Sequence, residues 1–322
     1  MTRRGVLAGL AVGVLMANKS AATASAGARV PGVYLGAAAD GRRRLPAYEA
    51  WLGRPVSGVV DFLAFGDWNE VTYSSNSAIS RWSGLGRRLT LTIPMLTRRG
   101  GSTLALGASG AYDRYFQNMA TRLVQTQQSK AIIRIGHEFN GAWTLWCANS
   151  DLDVWINYWR RIASVFRKTP GAMFEIEWSP NLGVSSIDPG RAWPGDDLVD
   201  IIGGSFYNDC RGSCSVTGLE RWKRQVDMPT GLGWHREFAA SKRKPVSFAE
   251  WGTGIRLNGG GGGGGGDDPV FIERFNDWLS QQDLRYHNYF DYNASDFHAK
   301  LSDNQFPKAA AAFKAAFSSR RL

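Results

Sequence analysis

Eight apolar runs of strand length, spaced fairly evenly along the chain, restrict its fold more than any other feature. They are Gly32–Gly36, Val59–Phe65, Arg88–Pro94, Ala131–Ile135, Phe174–Trp178, Val199–Gly203, Pro245–Ala249 and Tyr286–Phe290. Their near-continuous apolar character fits strands covered on both faces, which is the parallel case. Helical patterns fall between them. Ala111–Gln128 sets Tyr112, Tyr115, Phe116, Met119 and Leu123 at helical intervals, and Asp151–Lys168 opens on an acidic cap before Val154, Tyr158, Ile162, Val165 and Phe166. Further helices are predicted over Leu219–Val226, Trp234–Lys242, Pro269–Gln281 and Phe306–Phe317. Eight strands alternating with helices predict an α/β protein, a (β/α)8 TIM barrel rather than an open sheet. There is no internal repeat of solenoid period and no inter-domain linker. At 322 residues and 43% hydrophobic content the chain suffices for one such barrel.

The first residues stand apart from that pattern. Thr2-Arg3-Arg4-Gly5 precedes a short apolar run ending near Met16, followed by Lys19 and the small-residue site Ala24-Ser25-Ala26. The reading is a secretory signal of the twin-arginine kind over residues 1–26, with the barrel domain over 27–322. A membrane anchor competes, but the run is about 12 residues, short of the ~20 that span a bilayer. Removing residues 1–26 lowers the formal charge from +10 to +7. The remaining basic residues are scattered, with no nucleic-acid module among them, so a merely basic soluble surface is preferred to a polyanion site.

Cys210 and Cys214 are close enough in sequence to bridge in a loop, which export would permit. No second pair or nearby His completes a metal set around them, and Cys147 reads as a buried thiol. The glycine run Gly259–Gly266 lacks the Lys-Ser/Thr of a phosphate loop and reads as a floppy insertion after the seventh strand.

Two strand ends carry the chemistry. Arg134-Ile-Gly-His-Glu-Phe-Asn-Gly-Ala-Trp143 leaves the fourth strand presenting His137, Glu138 and Trp143, and Val246-Ser-Phe-Ala-Glu-Trp-Gly252 leaves the seventh presenting Glu250 and Trp251. Cleaving a glycosidic bond needs one protonated carboxyl to assist the leaving oxygen and one ionised carboxylate to attack or to activate water. Strand ends four and seven face each other across a barrel mouth, so Glu138 and Glu250 are candidates for that pair. Period-two alternation sets Arg134, Gly136 and Glu138 on one face, and Val246, Phe248 and Glu250 on another, each glutamate being the last inward residue. A lone Glu at a strand end is usually a cap or a surface charge; two in these positions are harder to dismiss. Glu175 and Glu177 only alternate within a strand, Asp196-Asp197 reads as turn chemistry, and Asp291 and Asp296 lie near strand eight within reach of a substrate.

Thirteen tryptophans add a second line of evidence. Trp68, Trp143, Trp146, Trp178 and Trp251 fall at or just past strand ends, where indoles would stack on flat sugar faces. Trp155, Trp159 and Trp278 sit on helices and read as core. His137 is read as a donor to a substrate hydroxyl beside the acid, against the alternative of a satisfied core histidine. Tyr207 is placed to donate to Glu250.

These residues resemble glycoside hydrolase family 26, whose best-known members are β-mannanases. The likeness rests on Arg134–Trp146, on Trp193–Gly203 with Tyr207, and on Pro245–Gly252, and the order of strands extends it over most of residues 30–320. The resemblance implies a retaining, endo-acting mechanism with Glu138 as general acid/base and Glu250 as nucleophile. It implies that His137 and Trp143 line the substrate and that Tyr207 supports Glu250; Trp178 and Trp251 are substrate-binding candidates from their strand-end positions alone. The eighth strand reads Tyr289-Phe-Asp-Tyr-Asn293 where mannanases commonly present Trp, a departure at the place where the sugar is read. A β-linked polysaccharide or oligosaccharide is therefore the expected partner, with β-mannan ahead of β-1,3-xylan, mixed-linkage β-glucan or the producer's own exopolysaccharide. A catalytically silent carbohydrate-binding protein is the rival from another class. No cofactor or metal, no nucleic acid and no stable membrane insertion are expected, and the chain is expected to act as a monomer, secreted or periplasmic.

Overall fold

The computed structural model describes residues 29–149, 151–209, 216, 218–257 and 263–318. The expected signal, the Cys210–Cys214 pair and Gly259–Gly262 lie outside them. In chain order the first half is β1 (Gly32–Tyr34), α1 (Ala38–Leu52), β2 (Gly58–Phe62), α2 (Trp68–Trp82), β3 (Arg88–Ile93), α3 (Leu104–Ser109), α4 (Asp113–Gln125), β4 (Ile132–Ile135) and α5 (Leu152–Lys168). The second half is β5 (Glu175–Trp178), β6 (Ile201–Ile202), β7 (Ser205–Tyr207), α6 (Gly218–Asp227), α7 (Leu232–Lys242), β8 (Val246–Gly252), β9 (Ile255–Arg256), α8 (Pro269–Ser280), β10 (Leu284–Phe290), β11 (Phe297–His298) and α9 (Pro307–Phe317).

The sheet runs β10-β1-β2-β3-β4-β5-β6-β8, every pairing parallel, and closes through β10 against β8. β6 and β7 are two pieces of one barrel strand, interrupted at Gly203-Gly204. The result is the closed (β/α)8 barrel expected from the eight apolar runs. β9 and β11 form a small antiparallel clasp between the loops that follow the seventh and eighth strands.

Two helices, α1 and α2, carry no clear helical signal in the sequence. α1 holds Pro46, Gly41 and three consecutive arginines, yet it buries Leu45, Tyr48 and Leu52. α2 is rich in Ser, Thr and Asn. It is started by Asp67, whose carboxylate accepts from the amides of Asn69 and Glu70 and so satisfies two of the free N–H groups of the first turn. Among the described residues no helix is long and apolar enough to cross a membrane.

The core divides into two regions. Outward-facing residues such as Ile133, Ile135, Ile176, Phe248 and Trp251 pack on the helices in one continuous apolar layer. Inward-facing residues form a mixed lumen: Ile132, Ile201, Ala249 and Tyr286 cluster together, with Thr90, Thr92, Arg134, Glu177, Ser205 and Ser247 buried nearby.

Alternation is broken between β8 and β10 at two places, and one of them is instructive. Along β8, Phe248 pairs with His287 but Trp251 pairs with Tyr289, so three residues of β8 oppose two of β10. This bulge lets both Phe248 and Trp251 face the helices, each against Phe275, while Glu250 turns into the lumen. The expectation that Val246, Phe248 and Glu250 share an inward face is therefore corrected, because an extra residue re-aims the side chains beyond it.

The described end of the glycine run is packed. Gly265 N donates to Asn208 O, Gly266 N to Gly254 O, and Arg256 N to Gly263 O. A Cβ on Gly265 would lie 1.8 Å from Asn208 Nδ2, so glycine serves there for close approach and not for looseness. Gly265→Ala is expected to cost about 1–3 kcal/mol, the usual penalty of overpacking, read as a lower denaturation midpoint. An unchanged midpoint would return this stretch to a tolerant linker.

Candidate active site

The first carboxyl sits beyond the end of β4. The strand stops at Ile135, and the chain then takes left-handed backbone at Gly136 (φ 54°) and again at Glu138 (φ 54°). A non-glycine residue in that region costs roughly 1–3 kcal/mol and persists only where its surroundings over-determine it. Here Glu138 N donates to Ser179 O at 2.9 Å, Gly141 N donates to Glu138 O at 2.8 Å, and Trp146 Nε1 donates to His137 O at 2.8 Å. The carboxyl is held at both oxygens: Asn181 Nδ2 donates to Oε1 at 3.0 Å and Trp143 Nε1 to Oε2 at 2.7 Å. Asn181 is itself clamped by a reciprocal pair of bonds with Asn140.

The second carboxyl, Glu250, is 6% exposed at the bulge of β8. Its Oε1 accepts from Arg134 Nη1 at 2.6 Å and from Ser205 Oγ at 2.9 Å, and its Oε2 accepts from the Tyr207 hydroxyl at 2.9 Å. Arg134 is fully buried and also donates to Ser205 through Nη2 and to Ser179 through Nε.

These surroundings push the two carboxyls in opposite directions. Burial and the negative charge of Glu250 raise Glu138, outweighing its donors Asn181 and Trp143. Burial also acts to raise Glu250, but the Arg134 charge, with donated bonds from Arg134 and Tyr207, brings it below the ordinary glutamate value. One carboxyl thus keeps its proton while its neighbour gives it up, the division of labour that acid-assisted displacement requires.

Of the residues expected at the site, Glu138, Glu250, His137, Trp143 and Tyr207 are brought together. Trp143 is 44% exposed beside the acid. His137 lies edge-on to Phe62, with its Nδ1 buried and lacking a hydrogen-bond partner. Burial, with the Arg134 charge, pushes its pKa down to about 3, so it is neutral.

Trp178 and Trp251 are corrections. Both are 0% exposed. Trp178 packs on Phe139, Trp193 and Phe238 and donates to Ala192 O, while Trp251 packs on Phe275 and donates to His287 Nδ1. Each faces the helix layer, out of reach of a mouth-bound sugar. Trp68 and Trp146 are likewise turned into packing, Trp68 against Tyr115 and Trp146 against Phe65. Asp291, buried and accepting from Leu301 N, Ser302 N and Ser302 Oγ, braces a loop, and Asp296 pairs with Arg256.

Sequence reasoning passed over Arg134, Asn181 and Ser205. The signal for Arg134 was present, a lone charge inside an apolar strand, since a cation is buried only with partners. It also missed the aromatic wall beside Tyr207, where Tyr34 stacks on Phe290 at 4.7 Å and Tyr207 meets Phe297 at 5.0 Å.

A closed parallel barrel with an acid and a carboxylate converging at strand ends is the architecture of a glycoside hydrolase. The family model "Glycosyl hydrolase family 26" matches residues 108–224, a span that includes Glu138 and Tyr207 and stops short of Glu250. The chain is a glycoside hydrolase, similar over residues 108–224 to glycosyl hydrolase family 26.

Solved structures agree on the fold. The YdhT protein from Bacillus subtilis superposes with a TM-score of 0.59 at 15% identity, over 89% of this chain and 85% of that one. A modular endo-β-1,4-mannanase from Cellulomonas fimi gives 0.61 at 15% identity, over 90% and 74%. The family 26 β-mannanase BoMan26A from Bacteroides ovatus gives 0.56 at 13% identity, over 91% and 93%. Among curated protein sequences none matches.

Two outcomes are expected. Trp143→Phe removes a donor that lowers Glu138, so the alkaline limb of kcat/KM should move to higher pH; a limb that stays or moves down would contradict the assignment of the acid. Arg134→Met should cost roughly 3–5 kcal/mol by leaving a buried carboxylate uncompensated. Because Glu250 is depressed in the folded state, the wild-type advantage is present at neutral pH and lost as pH falls through its folded pKa. Denaturation midpoints of the two proteins should therefore converge on acidification.

Proposed function

We propose that the enzyme is a retaining, endo-acting hydrolase of a β-linked polysaccharide, with β-mannan the leading substrate. The observation that carries this reading is the opposed environment of the two carboxyls. Glu138, kept protonated by burial and by its neighbour's charge, hands its proton to the departing glycosidic oxygen. Glu250, held ionised by Arg134 and aimed by Tyr207 and Ser205, attacks the anomeric carbon from the other side and forms a glycosyl-enzyme. The Glu138 carboxylate then takes a proton from water, which releases the sugar with its original configuration.

Neutral His137 is partly exposed next to Glu138, and Trp143 presents a half-exposed indole beside the acid. The preference for mannan draws on structural neighbours, among them the endo-β-1,4-mannanase from Cellulomonas fimi and the β-mannanase BoMan26A from Bacteroides ovatus. Fungal β-1,4-galactanases also share the fold at a TM-score of 0.55, so related β-1,4-glycans belong in the same screen. Export through the twin-arginine sequence at Arg3-Arg4 and action as a monomer complete the proposal.

Glu250→Ala should lower turnover by roughly 10⁴-fold or more, the scale of losing a catalytic nucleophile. Azide should restore part of it by forming the glycosyl azide of inverted configuration. A variant with undiminished activity would sink the mechanism, and wild-type enzyme that binds β-glycans without releasing reducing ends would turn the reading to a binding protein.

A further inference from the structure

Beneath the catalytic pair the lumen holds a third carboxyl, Glu177 on β5, that the two-glutamate mechanism leaves unused. It is 0% exposed. Its Oε2 accepts from Ser247 Oγ at 2.8 Å and from the Tyr286 hydroxyl. Its Oε1 has no hydrogen-bond partner and lies 3.4 Å from Arg134 Nε. The interrupted sixth strand makes room for it, since a Cβ on Gly203 would sit 2.4 Å from that same oxygen. Arg134 is thus gripped from two sides, by Glu250 above and Glu177 below, and no part of its side chain reaches solvent.

The reaction makes this arrangement consequential. As an oxygen of Glu250 bonds to the anomeric carbon, the glycosidic C–O bond breaks, its electron pair leaves with the departing oxygen, and that oxygen takes the Glu138 proton. Glu250 is then a neutral ester. The guanidinium that held it has lost its counter-charge inside a dry barrel, where an unpaired charge is strongly disfavoured.

We propose that Glu177 is a positioning residue that supplies the second counter-charge for Arg134, so that the buried guanidinium stays paired while Glu250 is consumed in the glycosyl-enzyme. This rests on the retaining reading above. Hydrolysis of the ester by water, with Glu138 as base, returns the charge to Glu250 and resets the row. Glu177 touches no substrate and acts only through Arg134. Burial pushes the pKa of Glu177 up, and the Arg134 charge with donated bonds from Tyr286 and Ser247 acts in the opposite direction; the more distant Arg88 from β3 also faces it. Around Glu250 the facing groups are Arg134, Tyr207, Tyr34, Glu138 and His137.

The test uses full-length enzyme and an activated 2-deoxy-2-fluoro-β-glycosyl donor matched to whichever glycan it cleaves. Glu177→Gln keeps shape and removes charge. Formation of the trapped adduct should slow by about 10²-fold, the scale of losing one preorganised electrostatic group, with kcat falling and KM little changed. Removing a negative neighbour also makes ionised Glu250 easier to hold, so the acid limb of kcat/KM should move to lower pH. Mere loosening of Arg134 would move that limb upward, so an upward shift or an unchanged trapping rate would overturn the proposal.

If Glu177→Gln fails to fold, Tyr286→Phe keeps the carboxyl but removes a donor that favours its charged form. Trapping by that variant should then fail at a higher pH than in wild type, and an identical pH dependence would overturn the proposal. A wild-type enzyme that carries no adduct sinks the retaining reading and this proposal with it. A trapped wild type alongside an equally fast Glu177→Gln sinks this proposal alone.

Discussion

Arg134 is the constraint on which the site depends. A guanidinium cannot shed its proton at any ordinary pH, so burying it obliges the fold to surround it with acceptors and negative charge. The barrel meets that demand by drawing residues from three further strands toward one point: Glu177 and Ser179 at the end of the fifth, Ser205 from the sixth and Glu250 from the seventh. Once these are in place, the direction of Glu250 is no longer free. The same bond that satisfies the arginine aims the carboxylate and depresses its pKa.

Glu138 is positioned by a different device. Glu138 stands on strained left-handed backbone fixed by Ser179, Gly141 and the Trp146 indole bond, and its carboxyl is braced by Asn181 and Trp143. Ser179 belongs to both halves, taking the Glu138 amide on its carbonyl and the Arg134 Nε on its hydroxyl. The two carboxyls are therefore referenced to one residue of the barrel wall. Their electrostatics are linked as well: the charge that Arg134 keeps on Glu250 is the charge that helps keep the proton on Glu138.

Much of this was legible from residues. Eight strand-length runs are hard to arrange other than as a closed barrel, and the chemistry-bearing strand ends stood out because an apolar run breaks abruptly into His137-Glu138 and again into Glu250. What failed did so for identifiable reasons. Period-two reasoning assumes an uninterrupted ladder, and the β8 bulge turned Phe248 and Trp251 outward together. An indole near a strand end reads alike whether it faces sugar or helix, so Trp178 and Trp251 were assigned to the mouth when their ring nitrogens already had partners in the packing. Glu177 was discounted for alternating within its strand, yet alternation is what carries it into the lumen. Glycine is ambiguous in the same way: Gly203 and Gly265 mark close approach, and nothing in a run of glycines distinguishes that from slack.

The account comes down to a carboxylate that attacks and an acid that assists, and the stereochemistry of the product reports on that directly. Proton NMR of the first-formed reducing end, recorded before mutarotation and on whichever β-glycan the enzyme cleaves, should show the β-anomer. An initial α-anomer would mean single displacement by water and would contradict the assignment of Glu250 as nucleophile.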